Sequence, residues 1–239
     1  ARPADAATLR AEYLFDGHTL DTSGNNQHAT NHGATLVADR FGNADSAYSF
    51  NGGDYMTTPL NSNFRPQSFS VWWKTDTTSG ERSIVDSDRR GSYGHSLILG
   101  YKSPDGDLDV QYHNGYRDSG FRPTVGQWYH SVVNYTLSAI ELWIDGSLHS
   151  TWSYTGTSYD GTNYRLGRHN ASDTQWFYGD IDDVRFYSGT LNQTEIESLH
   201  TENPNATIPA PLAMLGALPL LALHCMMRKH QQCRSPMMR

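Results

Sequence analysis

Cysteine is scarce in this sequence: the 239 residues contain two, Cys225 and Cys233, both near the C-terminus. A disulfide-stapled scaffold and a cysteine nucleophile are therefore excluded for the rest of the chain. Basic residues are also few, with 18 Lys and Arg against 25 Asp and Glu. The chain thus has no surplus of positive charge with which to neutralise nucleic-acid phosphates, and we expect no nucleic-acid partner.

The remaining composition favours a β-rich globular domain. Charged residues make up 18% of the chain and aromatic residues 12%, with 21 glycines and 14 tyrosines. A helical bundle is richer in Glu, Lys and Leu, and a disordered chain has fewer aromatic residues, so both classes are disfavoured. The length suffices for one sizeable domain with its own hydrophobic core.

Short β-branched or aromatic segments between turn signals predict strands throughout residues 11–200. Residues 68–74 alternate, which places Phe69, Val71 and Trp73 on one face of a strand. Because no helices alternate with these segments, we predict an all-β fold with two antiparallel sheets packed as a sandwich.

Two local signals sharpen this prediction. Asp145-Gly146 separates two strand-like segments and is typical of a tight hairpin turn. Residues 192–200 form the one helix-like segment of the domain, and Leu191, Ile196 and Leu199 give it an apolar side that can cover one end of the sandwich.

Aromatic and histidine side chains within the predicted strands are assigned by the same alternation. We expect Trp73, Trp128 and Trp143 in the core and His130 as a packed structural histidine. Trp72 faces away from Trp73, and we expect it to line the concave side of its sheet.

Three groups of motifs stand in a fixed order along the chain. They are Tyr13-Leu-Phe-Asp-Gly17 to Ala47-Tyr-Ser-Phe-Asn-Gly52 at the start, Gln127-Trp-Tyr-His130 to Leu142-Trp-Ile-Asp-Gly146 in the middle, and Tyr164-Arg-Leu-Gly167 with Gly179-Asp-Ile-Asp-Asp-Val-Arg-Phe-Tyr187 at the end. In this order they resemble bacterial laminin G-like domains of the concanavalin A-like lectin/glucanase superfamily. The resemblance implies a jelly-roll sandwich used outside the cell to bind carbohydrate or protein.

The acidic residues give little support for catalysis. A glycosidase needs two carboxylates that flank the scissile bond, about 5–5.5 Å apart in a retaining enzyme. The six glutamates include no strand pair with this arrangement, and Glu195 and Glu197 lie in the predicted helical turn. The segment from Asp105 through Asp109 contains three aspartates, but its Gly106 favours a solvated hairpin. We therefore expect a non-catalytic protein.

Calcium is the most credible ion, because it binds hard oxygens supplied by carboxylates and turn carbonyls. Related laminin G-like sandwiches often hold calcium, and Asp21 and Asp182 match acidic positions that recur in the family. Asp16 could add a third ligand. In the alternative interpretation, Asp21 caps its own turn and Asp182 pairs with Arg40 or Arg185.

Three loop-like segments combine aromatic and polar side chains in the way that sugar sites do, with rings for stacking and planar groups for hydrogen bonds. They span residues 89–95, 112–117 and 168–178. The candidate ligand-binding residues from these segments are Tyr93, His95, Tyr112, Asn114, Arg117, Arg168 and Trp176.

The C-terminal residues differ in character from the domain. Residues 208–227 contain no formal charge and are long enough, as a helix, to cross a membrane. Arg228-Lys229 follows at once, as expected for a segment whose N-terminal domain faces outward. A buried helix of the domain is the alternative. With Pro209-Ala210-Pro211 before it, the tail resembles a bacterial exosortase-type (PEP-CTERM) sorting signal, although Ala210 replaces the glutamate of that motif.

We therefore predict an extracellular, non-catalytic adhesion module that binds carbohydrate or a matrix polymer and is held at the membrane by its C-terminus. The rival hypothesis is a structural surface component that associates with copies of itself. The predicted organisation is an N-terminal extension (1–10), the sandwich (11–200), a linker (201–207), the transmembrane or sorting helix (208–227) and a basic cytoplasmic tail (228–239).

Overall fold

The structure is a computed structural model of the 239-residue chain. It describes residues 6–62, 67–87, 95–100, 106–112, 115–154, 162–169 and 175–204. Within these ranges no helix is both long and apolar enough to span a membrane. The predicted helix at 208–227 and basic tail at 228–239 lie outside the described residues and stay predictions.

The described part of the chain contains fifteen β-strands and one nine-residue helix. In chain order they are β1 (Thr8–Tyr13), β2 (Thr30–His32), β3 (Thr35–Val37), β4 (Ala47–Asn51), β5 (Tyr55–Asn61), β6 (Gln67–Thr75), β7 (Arg82–Asp86), β8 (His95–Leu99), β9 (Leu108–Tyr112), β10 (Gly115–Phe121), β11 (Trp128–Tyr135), β12 (Ala139–Ile144), β13 (Ser147–Ser153), β14 (Asn163–Leu166), β15 (Tyr178–Ser188) and α1 (Gln193–Thr201).

The strands form two antiparallel sheets, which confirms the predicted all-β sandwich. The eight-stranded sheet has the order β13-β12-β11-β6-β15-β4-β3, with β1 also paired to β15. The seven-stranded sheet has the order β10-β9-β8-β7-β14-β5-β2. Neighbours in these orders are often distant in sequence, so many of the strand pairings are long-range.

The core lies between the two sheets, and strand alternation fills it as the sequence predicts. Phe69, Val71 and Trp73 on β6 are fully buried and belong to the main apolar cluster. Tyr164 and Leu166 on β14 of the opposite sheet belong to the same cluster. The hairpin prediction is also confirmed, since β12 turns into β13 at Asp145-Gly146 with φ angles of 47° and 78°.

Helix α1 confirms the predicted helical segment, but its position differs from the expectation. Asn192 caps the helix, and the Glu195 carboxylate in turn accepts from the Asn192 N–H. Ile196 packs in a second apolar cluster that includes Val132 and Trp143. Val133, the next residue on β11, belongs to the main core. The helix therefore covers the outer face of the eight-stranded sheet and not one end of the sandwich.

Two tryptophan predictions were wrong. Trp72 was expected on a concave surface, yet it is buried beneath the helix end, with its ring 5.4 Å from His200 and the Arg40 guanidinium 4.3 Å away. Trp128 was expected in the core, yet it is half-buried at the start of β11, with Lys74 Nζ 5.2 Å from its ring. Alternation within one strand gives the face but not what covers it.

Strand β15 changes partner along one edge. Residues 178–181 pair with β4, and residues 184–188 pair with β1. Asp182 and Asp183 lie at the exchange, and Asp183 has a φ of 44°. Arg40 Nη1 lies 2.9 Å from Asp182 Oδ2 and 2.7 Å from Asp183 Oδ2, and all three side chains are buried. One guanidinium thus joins a loop of the N-terminal region to the irregular centre of β15.

One guanidinium between two buried carboxylates leaves an excess of negative charge. Burial, and then the neighbouring Asp183 carboxylate, raises the pKa of Asp182 to about 8. Burial likewise raises the pKa of Asp183. A carboxyl whose folded pKa is raised stabilises the fold at low pH, and that contribution is lost as the pH rises through the folded pKa.

Replacing Arg40 tests how far the fold depends on this contact. We expect Arg40→Met to lower the free energy of unfolding by about 3–5 kcal/mol, because both carboxylates then stay buried without their cation. Urea unfolding followed by tryptophan fluorescence measures the change. Arg122→Met, at an exposed position after β10, is the control and should change stability by about 0.5 kcal/mol at most. An equal effect of the two substitutions would show that the Arg40 contact contributes little.

His130 predicts a distinct pH dependence of stability. Burial lowers its pKa to about 3, with smaller effects from His200, Arg40 and Arg185. Since the unfolded histidine titrates near its ordinary value of 6.5, the stability that neutral His130 provides is complete above that pH and is lost as the pH falls towards 3. We expect the stability advantage of wild type over His130→Gln to shrink by about 1.4 kcal/mol per pH unit at most.

Urea unfolding of both proteins between pH 7 and pH 4 gives this difference directly. The Asp182–Asp183 pair is common to both proteins, so its opposite pH dependence cancels. His18→Gln, at an exposed position, is the matched control and should run parallel to wild type. Parallel curves for His130→Gln would contradict the prediction.

Candidate functional site

A candidate site lies on the outer face of the seven-stranded sheet, near its β5 and β14 strands. Alternation turns Met56 on β5 inward, where it is fully buried, and leaves Tyr55 on the outer face. Arg165 lies between buried Tyr164 and Leu166 on β14 and so faces outward as well. The pairing of β2 with β5 sets His32 opposite Tyr55.

Stacked rings form the centre of this surface. The His32 and Tyr55 rings are 4.3 Å apart and nearly parallel, and Trp176 lies 6.0 Å from Tyr55 at an angle of 58°. The Arg168 guanidinium lies 4.8 Å from both the Tyr55 and the Trp176 ring centres, and the Arg165 guanidinium 5.8 Å from Tyr55. We call these five residues the aromatic–arginine patch.

The backbone after β14 sets the position of Arg168 and Trp176. These two residues form an antiparallel bridge, and the Phe177 N–H donates to the Gly167 carbonyl oxygen at 2.9 Å. Phe177 is fully buried, so its side chain anchors the segment beside Trp176. Gly167 has a φ of 81°, and a Cβ there would lie 2.3 Å from the Phe50 ring. Glycine is therefore required at the residue that leads into the patch.

The patch combines groups that suit a sugar. Four of its side chains are half-buried and His32 is exposed, so the rings are held in place but can be reached. Aromatic faces pack against the apolar C–H faces of a sugar ring, while guanidinium N–H groups donate hydrogen bonds to its oxygens. Burial and then the nearby Arg168 charge lower the pKa of Arg165.

A family profile described as the Concanavalin A-like lectin/glucanases superfamily matches residues 50–197, which is more than half of the chain. The chain belongs to this superfamily. The match includes every residue of the patch except His32. The predicted resemblance to laminin G-like domains is thereby confirmed for this region, whereas the sorting-signal resemblance concerns residues outside the described ranges.

Solved structures share this concanavalin A-like fold. Domain 4 of a GH43 extracellular arabinanase from Geobacillus stearothermophilus, solved in complex with arabinotriose, has a TM-score of 0.69 and 21% identity over 82% of this chain and 100% of that one. The receptor binding domain of botulinum neurotoxin D has a TM-score of 0.61 and 16% identity, over 80% of this chain and 52% of that one.

The binding domain of botulinum neurotoxin DC, solved in complex with SialylT, has a TM-score of 0.60 and 14% identity, over 82% of this chain and 51% of that one. The chain therefore spans about half the length of these neurotoxin domains. At such identities the similarity shows the fold alone. A search of curated proteins gave no match.

Further polar residues lie on the outer face of the seven-stranded sheet, beginning next to the patch. Asp86 lies opposite Arg165 in the strand register, and its Oδ2 accepts a hydrogen bond from Ser96 Oγ at 2.7 Å. His169 Nε2 lies 3.8 Å from the same oxygen. Asp109 on β9 shares this face, because its neighbours Leu108 and Val110 belong to the core. Asp86 and Asp109 are both fully buried.

The structure places the predicted ligand residues in different parts of the fold. It brings Arg168 and Trp176 together in the patch. Arg117 lies on β10, at the opposite edge of the seven-stranded sheet, where its Nη1 donates to the Tyr116 carbonyl oxygen. Tyr93 and Asn114 lie outside the described residues.

The expectation that His95 and Tyr112 lie on binding loops was wrong. Both belong to strands, β8 and β9, and both are fully buried in the core. The His95 ring lies 4.9 Å from Tyr112 and 4.2 Å from Tyr135, and its Nδ1 lies 2.8 Å from Gln67 Nε2. His95 follows glycine-containing polar sequence, which is typical of a loop, but its ring packs between the two sheets.

The patch residues that sequence reasoning missed are His32, Tyr55 and Arg165. Alternation of Tyr55 with buried Met56 was a usable signal for an outward ring on β5. Arg165 belongs to the Tyr164-Arg-Leu-Gly167 motif, and no local pattern singles out His32. Their proximity depends on β14 and β2 flanking β5, which no local pattern reveals.

Asp16, Asp21 and Asp182 do not fit one calcium site. Asp21 Oδ1 accepts from the Glu12 and Ser23 N–H groups, both at 2.9 Å, and Oδ2 accepts from the Gln27 N–H at 2.8 Å. Asp182 pairs with Arg40. Within the described ranges no group of three or more His, Cys, Asp or Glu side chains is placed to hold a metal ion. The geometry follows the alternative interpretation, with a capping Asp21 and an ion-paired Asp182.

The hydrogen bonds of Asp21 also shift the pKa of its carboxyl group. Burial raises the pKa of its carboxyl, but the hydrogen bonds from Ser23, Gln27 and Glu12 outweigh this effect and hold the pKa below its usual value. The carboxylate therefore stabilises the turn after β1 as an acceptor of backbone N–H groups.

Asp21→Ala distinguishes a turn cap from a calcium ligand. We expect a loss of about 1–3 kcal/mol in the free energy of unfolding, because buried N–H groups lose their acceptor. The loss should be equal in about 5 mM calcium, which saturates a typical extracellular calcium module, and in excess EDTA. Thermal unfolding of both proteins in the two buffers measures it. A loss that appears only in calcium would assign Asp21 to a metal site.

Proposed function

We propose that this protein is a non-catalytic carbohydrate-binding module whose ligand packs on the aromatic–arginine patch. The observation that carries the proposal is the placement of Arg168 over both Tyr55 and Trp176, 4.8 Å from each ring centre. This arrangement gathers two half-buried aromatic rings and a guanidinium group at one place on the sheet. Saccharide sites require this pairing of apolar faces with directed hydrogen-bond donors.

The support for a pre-formed site comes from the elements that hold these side chains. Tyr55 and Arg165 lie on paired strands, and the bridge between Arg168 and Trp176 continues the sheet. Side chains fixed by strands lose little conformational entropy when a ligand binds.

The solved relatives support the same class of ligand. The arabinanase domain was solved with arabinotriose and the neurotoxin DC binding domain with SialylT. Those ligands belong to those proteins. Together with the superfamily membership, they favour a saccharide as the ligand class here.

The positions of the carboxylates support a module without glycosidase activity. Asp86 and Asp109 share the outer face of the seven-stranded sheet, with β8 between their strands. Both carboxyl groups are also fully buried. Glycoside hydrolysis needs two carboxylates that reach the scissile bond from either side.

We also propose that the module acts at the cell surface in adhesion, attached through residues 208–227. This part of the proposal rests on the sequence, in which twenty residues without formal charge are followed by the basic pair Arg228-Lys229. Self-association as a structural surface component is the competing role, and it predicts no saccharide binding at the patch.

Trp176→Ala tests the proposed site on the full chain. A glycan array first identifies the saccharides that bind the wild-type protein. For these saccharides we expect Trp176→Ala to lower the affinity at least tenfold, because the ligand loses contact with one aromatic ring. Isothermal titration calorimetry measures the affinity. Trp128→Ala is the matched control, since Trp128 is also a half-buried ring with a cation above it but lies on the other sheet.

The control variant should bind as wild type does. Equal affinity of wild type and Trp176→Ala for every retained saccharide would reject the patch as the site. If the wild-type protein binds no saccharide on the array and sediments as a concentration-dependent oligomer, the self-association role would replace the proposal.

A further inference from the structure

A cavity lies beside helix α1 on the outer face of the eight-stranded sheet, on the other side of the sandwich from the aromatic–arginine patch. Its volume is about 400 Å³, which falls within the range of small-molecule sites. Tyr187 on β15 and Ala7, just before β1, line it from the sheet. The segment from Leu191 to Leu199 lines it from the helix.

Short side chains leave this space open. Ile196 turns towards the sheet and packs in one apolar cluster with Trp143, which fixes the helix on that side. On the side of the cavity the helix has Thr194 and Ser198, and the sheet side has Ala7. Longer side chains at these three positions would fill the gap between the helix and the start of β1.

The polar group that the sheet contributes to the cavity is the Tyr187 hydroxyl. Tyr187 is 9% exposed, and its hydroxyl group has no hydrogen-bond partner among the described residues. Burial raises the pKa of Tyr187 to about 12, so the hydroxyl keeps its proton at neutral pH. A buried hydroxyl without a partner costs free energy, and a ligand oxygen in the cavity would supply the hydrogen bond.

The charge of the lining selects against ions. None of the seven described residues that line the cavity is basic. Glu195 contributes a carboxylate, and its Oε2 already accepts from the Asn192 N–H at 2.8 Å. An anion would meet this negative charge and lose its hydration among apolar side chains. A cation would also lose hydration, beside a carboxylate that the helix cap already uses. The lining therefore favours an uncharged ligand.

We infer that this cavity binds a small uncharged molecule that has an apolar body and one oxygen atom, an alcohol or a ketone. The ligand oxygen hydrogen-bonds to the Tyr187 hydroxyl, and the apolar body packs against Leu191 and Leu199. The site is separate from the aromatic–arginine patch, so the inference does not depend on the proposed function.

Alcohols of increasing length test the apolar part of the site. Isothermal titration calorimetry of the full chain with 1-butanol, 1-pentanol and 1-hexanol should show an affinity that rises roughly fourfold for each added methylene group. Hexanoate and hexylammonium are close in length to 1-hexanol but end in a charged group, and each should bind roughly tenfold more weakly or worse. Equal or tighter binding of either ion would overturn the assigned ligand class.

Two neighbouring helix positions then locate the bound alcohol. Ser198→Trp places a large ring in the cavity and should lower the affinity for 1-hexanol roughly tenfold or more. Glu197→Trp introduces the same ring at an exposed position outside the lining and should bind as wild type does. Thermal unfolding verifies that both variants are folded. If Ser198→Trp binds 1-hexanol as wild type does, the alcohol lies elsewhere and the inference is overturned.

Tyr187→Phe tests the hydrogen bond and keeps the ring. The affinity for 1-hexanol should fall roughly threefold to tenfold, because the alcohol loses one hydrogen bond. An unchanged affinity would overturn the role of the Tyr187 hydroxyl.

A patch variant separates the inference from the proposed function. Trp176→Ala should leave the affinity for 1-hexanol unchanged, because Trp176 lies on the other side of the sandwich. A loss of alcohol binding in this variant would place the alcohol at the patch and overturn the inference. If the wild-type protein binds none of the alcohols, the inference fails, whatever saccharide the patch binds.

Discussion

The contact between Arg40 and the two aspartates at the centre of β15 joins distant parts of the fold. That strand is paired with β6 on one side and with β4 and then β1 on the other, so it holds the eight-stranded sheet together. At the exchange between β4 and β1 the regular ladder is interrupted, and Asp183 adopts a positive φ. Arg40 binds both carboxylates and also donates to the Glu202 carbonyl oxygen after the helix. One side chain thereby ties the loop, the central strand and the helix end together.

The outer faces of the two sheets have different roles. On the eight-stranded sheet, α1 and the stacked rings of Trp72, His130 and His200 fill the surface. On the seven-stranded sheet, the outer face has polar side chains and the aromatic–arginine patch. A buried apolar cluster fixes the first face, and accessible rings with cations make the second suitable for a ligand. The helix and the proposed binding patch thus lie on opposite sides of the sandwich.

Much of the fold could be predicted because it depends on local periodicity. Alternation at Phe69, Val71 and Trp73, and the hairpin at Asp145-Gly146, required no knowledge of the rest of the chain. Arg168 and Trp176 could be found as candidates because they stand in a segment that mixes aromatic and polar residues. Tyr55 could not be joined to them, since β5 and β14 are separated by more than a hundred residues of sequence and meet only in the sheet. His95 shows the converse: polar composition predicted a surface that strand pairing placed inside.

Gly167 links the recognition surface to the interior. Its backbone oxygen accepts from the N–H of buried Phe177, and Phe50 of the opposite sheet occupies the space that a side chain would need. Arg168 and Trp176 are half-buried, so substitutions there would change the proposed binding surface without entering the core. Gly167 has no such freedom, because any larger residue would displace a core ring. Homologous proteins with other ligands should therefore vary at the two neighbours and retain the glycine between strand and patch.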